Sequence, residues 1–212
     1  MDRKSNRPSP DIAPAAILKT RTLPAPPRTL GFAARICIVA VDYRLAPEHR
    51  FPAALDDSVT ALQWACNNVD GLKVAPGRIG VGGDSAGSNL AATVALMGRD
   101  GTAPTSIFQV LIYPVVDLGA NSDSYRRVTS GVPLTAATMA YFIDHYAPNP
   151  TDRTDWRASP LKAASLAGAP AALVVTTGHD PLSDEGRAYA QRLEEEGVRV
   201  TSLHLSDNYT AY

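Results

Sequence analysis

The sequence predicts an α/β fold built on a mainly parallel sheet with helices on both faces. Three observations carry that expectation. Short apolar, β-branched runs recur at 36–41, 79–82, 106–113, 171–177 and 198–203, near-continuous as strands buried on both faces are. Between them lie helical segments at 53–68, 89–97 and 184–196. The run at 79–82 passes into its helix through Gly83-Asp84-Ser85-Ala86-Gly87, a G-x-S-x-G turn whose meaning depends on that strand-before, helix-after setting.

Residues 1–30 carry six prolines and are expected to be a poorly ordered Pro/Arg-rich segment, with Ala15-Ala16-Ile17-Leu18 a short strand or a turn of helix at most. One domain is expected over 31–212. Its first strand leads into Asp42 to Pro52, where Pro47 and Pro52 stiffen a turn. Leu55, Val59, Leu62 and Cys66 then recur at helical spacing, and Gly71 lies beyond that helix. The strand at 106–113 is stopped by Pro114. Residues 119–169 lack strand character, contain a helix at 134–146, and are expected to form an insertion near the site. After the strand at 171–177, the helix at 184–196 ends at Gly197 and a last strand follows. No internal repeat is visible.

Charge narrows the choice of partners. The 212 residues have a net charge of −1, but the first 35 hold seven Lys/Arg against two Asp, while the rest hold thirteen against nineteen acids. An acidic body points to neither nucleic acid nor an anionic membrane. Cys37 and Cys66 make no disulfide framework, so a reducing cytoplasm is expected. No apolar run approaches a membrane span, and Ala15 to Leu18 is too short for a signal core. The prolines likewise argue against an amphipathic transit helix.

The turn at 83–87 is the chemical centre of the chain. A sharp turn of this kind holds the serine hydroxyl above the rim of the sheet, with Gly83 and Gly87 where a Cβ would strike a neighbouring element. The helix that follows aims its first N–H groups at Ser85, where negative charge develops in acyl transfer. A glycine-rich turn before an ordinary helix is the plain alternative. A phosphate loop fits worse, because no Gly-Lys-Ser/Thr follows. A dinucleotide fingerprint also fails, because Ser85 stands where Gly80-Val81-Gly82 would need its third glycine.

Five segments appear in order over 33–203: VDYRLAPEHRFPAALDD at 41–57, GDSAG at 83–87, LIYPVVDL at 111–118, ASPL at 158–161 and DPLSDEG at 180–186. On these the sequence resembles the hormone-sensitive-lipase-like (bacterial type IV) esterases of the α/β-hydrolase superfamily. The resemblance implies an α/β-hydrolase fold and a carboxylic ester hydrolase acting on short-chain esters through an acyl-serine, with no metal or organic cofactor. It makes Ser85 the nucleophile, Asp180 the acid of a Ser-His-Asp triad and the Ala86 backbone N–H an oxyanion donor, with Gly83, Asp84 and Gly87 completing the elbow. Asp180 also closely follows the strand at 171–177, where open parallel sheets gather their active residues. The plain alternative is a helix cap, a role Asp184 could fill instead. Ser88 stands where the family usually has glycine, and is expected to crowd the helix entry.

Two catalytic parts depart from the family pattern. The family places a His-Gly-Gly-Gly loop before the DYRLAPE strand, yet the only glycine before residue 71 is Gly31 and no histidine precedes His49. Counting forward from Gly197-Val198 puts the triad histidine at Thr210. The expectation is therefore a fold shortened or altered at both ends, lacking the N-terminal strands and cap. Among the remaining histidines, His204 is a candidate shifted base. His179 adjoins Asp180 but points to the other side of an extended segment. His49 and His145 read as surface or packing residues. Loss of the base costs a serine hydrolase on the order of a million-fold in turnover. Three outcomes are open: an esterase by lineage with impaired activity, a non-catalytic small-ligand-binding homologue, or a truncated gene product without independent function. Loss of the oxyanion-loop strand would also open a gap of roughly 10 Å in the sheet. The run at 36–41 must then pair directly with 79–82, or a strand must come from residues 12–18 or another chain. Marginal stability and self-association through an exposed sheet edge are expected.

Overall fold

A computed structural model of the chain describes residues 13–19 and 36–209, so the remainder of the Pro/Arg-rich front and Thr210 fall outside the described residues. Six strands form one sheet: β1 (Ala13–Lys19), β2 (Cys37–Ala40), β3 (Val74–Asp84), β4 (Phe108–Ile112), β5 (Ala171–His179) and β6 (Val200–Tyr209). Their order across the sheet is β2-β1-β3-β4-β5-β6. Every neighbouring pair is parallel, as the continuous apolar runs imply.

The position of β1 takes up one of the alternatives for the gap, a strand drawn from the front of the chain. Residues 13–19, inside the segment expected to be poorly ordered, fill the gap between β2 and β3. Ala15 pairs with Cys37 on one side and with Ile79 on the other. The ladder to β3 breaks register between Ala13 and Ala15. Pro14 lies in that break, and it has no N–H to give to a ladder. Proline and alanine weaken the strand signal in the sequence. A slot flanked by two strands with backbone groups to satisfy outweighs that weak propensity.

Helices α1 (Ala53–Asn67), α3 (Ala86–Arg99) and α6 (Ser183–Glu195) join successive strands, and a four-residue helix α2 (Val69–Leu72) follows α1. From β2 through β3, β4 and β5 to β6 the chain always steps the same way across the sheet. Right-handed crossovers therefore place α1, α3 and α6 on one face. The side chains agree. Leu111 of β4 and Ala172 and Val174 of β5 are buried in one core with Leu55 and Leu62 of α1, Leu90 and Leu96 of α3, and Tyr189 and Leu193 of α6. The alternating residues Phe108, Val110, Ile112, Leu173 and Val175 are only partly covered. The single step in the opposite direction is β1 to β2, and residues 20–35 of that link lie outside the described ones.

The insertion expected at 119–169 holds α4 (Asp123–Arg127), α5 (Ala136–Tyr146) and two 3₁₀ turns, Asp152–Thr154 and Pro160–Lys162. It builds a second small core from Tyr125, Leu134, Met139 and Ile143 around Val115, Leu118 and Leu182. That core lies against the start of α6. The turn at 42–52 is tied down at both ends. The Arg44 backbone N–H and guanidinium bond the Asp57 carboxylate at 2.8–3.1 Å, and the Phe51 N–H donates to the Tyr146 carbonyl.

Candidate active site

Ser85 joins β3 to α3 with φ 51° and ψ −118°, in the positive-φ region that residues with a Cβ rarely adopt. Its N–H donates to the Ile112 carbonyl at 2.9 Å, and its own carbonyl accepts from Asn89 N–H at 3.2 Å. The residue is half-buried and Ala86 is exposed, so the turn itself is open to solvent. The tightness of the turn explains its glycines. A Cβ on Gly83 would stand 2.4 Å from the backbone carbon of Gly87.

Ser88 does not merely crowd the helix entry. Fully buried, its hydroxyl donates to the Gly83 carbonyl and accepts the Ile112 N–H at 2.8 Å, bolting the elbow to β4. One residue on, Asn89 Nδ2 donates to the carbonyls of Val115 (2.9 Å) and Ala158 (2.8 Å). It thereby binds the LIYPVVDL and ASPL segments to the elbow helix. Ser159 extends the tie, donating to the Arg153 carbonyl and accepting the Leu118 N–H. The sequence reading assigned no role to Asn89 or Ser159.

On the other side of β4, Asp180 follows β5 and is fully buried. Its Oδ1 accepts the Leu182 N–H at 2.8 Å, and the Thr177 hydroxyl donates to Oδ2 at 3.3 Å. The Asp184 carboxylate instead accepts the Ser124 N–H at 2.7 Å. Local helix-entry bonding therefore falls to Asp180, while Asp184 ties α4 to α6. The β3 and β5 strands are two spacings apart, roughly 10 Å, too far for a direct bond between their ends but within the span of a bridging ring.

Tyr113, at the end of β4 between them, is a residue the sequence reading missed. Its backbone is also in the left-handed region, with φ 36°, and its side chain is 9 % exposed. Burial, followed by the charges of Asp84 and Asp180, pushes its phenol up to about 12, so it stays neutral. Burial likewise raises the Asp84 carboxyl. A site with several enclosed acids favours neutral donors beside them.

The histidines are held elsewhere or at the margin. His204 shares a 2.9 Å hydrogen bond through Nδ1 with the Thr176 hydroxyl, on a strand three spacings from β3, or about 14 Å. That is not hydrogen-bond reach of Ser85. His145 donates from Nδ1 to the Tyr141 carbonyl and lies tilted against its ring, and the His49 backbone N–H donates to the Leu45 carbonyl within the turn. His179 is the exposed last residue of β5. The structure thus gathers Gly83, Asp84, Ser85, Ala86 and Gly87 at one point, with Asp180 two strands away, and leaves His204 apart. Among the described residues no group of three His, Cys, Asp or Glu side chains is arranged to hold a metal ion. No helix among them is long and apolar enough to cross a membrane.

A parallel sheet with a serine elbow after its third strand and a buried carboxylate after its fifth defines the α/β-hydrolase class. The family model described as the alpha/beta hydrolase fold matches residues 21–210, and the chain belongs to that family. Among curated relatives, it is 41 % identical to the carboxylic ester hydrolase LipN of Mycobacterium tuberculosis, over 81 % of this chain and 47 % of that protein. It is also 41 % identical to an ethyl acetate hydrolase of Pseudomonas putida, over 79 % of this chain and 53 % of that one. The chain thus spans about half the length of these relatives. Among solved structures, the thermostable carboxylesterase EstE1 from a metagenomic library superimposes with a TM-score of 0.87 at 37 % identity, covering 94 % of this chain and 72 % of that one. An esterase from Pyrobaculum calidifontis gives 0.83 at 41 %, covering 92 % and 66 %. The resemblance to esterases drawn from the five motifs is borne out.

Proposed function

We propose that this chain carries the nucleophile and acid of a carboxylic ester hydrolase acting on small, short-chain esters. The Ser85 hydroxyl attacks the ester carbonyl, an acyl-serine forms as the alcohol leaves, and water then releases the acid. The Ala86 N–H is one donor to the oxyanion, at the start of a helix whose dipole favours charge there. Asp180 is the carboxylate that would orient an imidazole between itself and Ser85. The observation that carries this reading is the strained, half-exposed backbone of Ser85 between β3 and α3, within one bridging group of a buried carboxylate.

His204 does not serve as the base in this reading, since its ring is engaged with Thr176. Purified chain assayed with a short p-nitrophenyl ester, beside Ser85→Ala, tests the proposal. A rate lost in the variant supports it, and equal rates with no acyl group trapped on Ser85 end it.

Two further features belong to the same proposal. β6 is an outer strand with Leu203 48 % exposed, a surface suited to pairing with a second copy. Cys37 and Cys66 are both free thiols, which fits a reducing cytoplasm.

A further inference from the structure

Glu185 is a buried acid that the ester chemistry does not use. It lies in the first turn of α6 and is 4 % exposed. Its Oε1 accepts the N–H of Val116 at 2.7 Å and of Asp117 at 3.2 Å, just past the end of β4. These two residues are themselves a junction. The Val116 carbonyl accepts from Leu161 N–H, and the Asp117 carboxylate takes the Gly119 N–H at 2.7 Å and the Lys162 ammonium at 2.9 Å. One carboxyl therefore joins the β4 exit, the ASPL segment and α6. The same helix begins at the Asp180 to Leu182 turn.

The groups around this carboxyl do not welcome a negative charge. Asp117 faces it from the β4 exit and Asp180 from the turn after β5, both of like sign. The enclosed phenol of Tyr125 faces it from α4. Asp184, its neighbour on α6, is turned to the Ser124 N–H and lies 3.6 Å from Arg127, while Lys162 is engaged with Asp117. Burial, against the pull of the two amides, pushes Glu185 up to about 8. An ionised carboxylate would accept the amides more strongly, but it would be a second buried negative group beside Asp180, with the partly exposed Asp117 already paired to Lys162.

We propose that Glu185 is a positioning residue of the site, a neutral carboxylic acid that clamps residues 116 and 117 to α6 and so fixes the helix entry holding Asp180. In mildly alkaline solution its ionisation releases that clamp. The sign follows from linkage. The folded state holds a proton that the unfolded chain gives up, so this contribution is full below the ordinary glutamate range and is lost as pH rises through about 8. The functional half of the proposal rests on Asp180 being the site's acid.

Hydrogen exchange and thermal unfolding of the full chain, with Glu185→Gln beside it, provide the test and need no ester turnover. Amides 116–118 should lose protection relative to those of buried α3, by roughly tenfold between about pH 7 and pH 9 in the parent and not in the variant. The Leu182 amide should follow them. The variant should melt near the parent at mildly acidic pH and above it at pH 9. Identical pH dependence in both chains overturns the clamp. A response at 116–118 without one at Leu182 overturns the positioning role. If the variant does not fold, the parent alone decides. Its infrared signal of a buried protonated carboxyl must disappear as pH rises through about 8. A signal absent at neutral pH, or unchanged across the range, contradicts the proposal. Loss of the esterase reading by the Ser85→Ala assay would leave all of these outcomes standing, so the two failures are distinguishable.

Discussion

The two halves of the proposed site hold Ser85 and Asp180 by different means. Around Ser85 the backbone does the work: a left-handed residue, a glycine with no room for a Cβ, and a helix that starts at once. Around Asp180 side chains do it, with Asp180, Asp184 and Glu185 each spending a carboxyl on backbone N–H groups. A backbone device demands particular residues at consecutive positions, so it leaves a motif. Side-chain clamps act between distant segments, so even where their residues stand in a motif, as in DPLSDEG, the partner is not written beside them.

The contrast can be broken at its strongest point first. Gly83→Ala puts a methyl against the Gly87 backbone, which cannot swing aside as a side chain could. A loss of about 3 kcal/mol or more, or failure to fold, is expected in urea denaturation. A change under about 0.5 kcal/mol would show that the elbow is not built on this approach.

Ser88→Ala comes next. It leaves the Ile112 N–H without the hydroxyl it bonds in a fully buried position, and a loss of about 1–3 kcal/mol should appear in the same experiment. A neutral result would mean that Ser88 only fills the place of a glycine.

The smallest effect is expected at the sheet edge. Leu203→Lys places a charge on an exposed strand position, so it should leave the unfolding midpoint nearly unchanged while reducing any concentration-dependent association seen by light scattering. Undiminished association would move the self-contact elsewhere.

The sequence made the elbow legible because strand, turn and helix each leave a local pattern, and β2 through β6 were read from the same kind of signal. β1 leaves a weaker signal, residues 12–18 being one of three ways to close the gap. Pro14 and its alanines speak against a strand, and only the neighbours at Cys37 and Ile79 make it one. The ties around the site were invisible for another reason. Asn89 to Ala158 and Glu185 to Val116 each span 69 residues, and Ser88 to Ile112 spans 24. No periodicity records a bond between a side chain and a backbone so far away. Right-handed winding, by contrast, accounts for α1, α3 and α6 sharing one face once the strand order is known.

The central claim is that Ser85 is an accessible nucleophile shaped for carbonyl attack, and trapping the acyl group tests it most directly. Incubation with p-nitrophenyl acetate followed by peptide mass analysis should find the acetyl group on the peptide containing Ser85. Ser85→Ala should carry none. No adduct in the parent, or an equal adduct in the variant, would contradict the account.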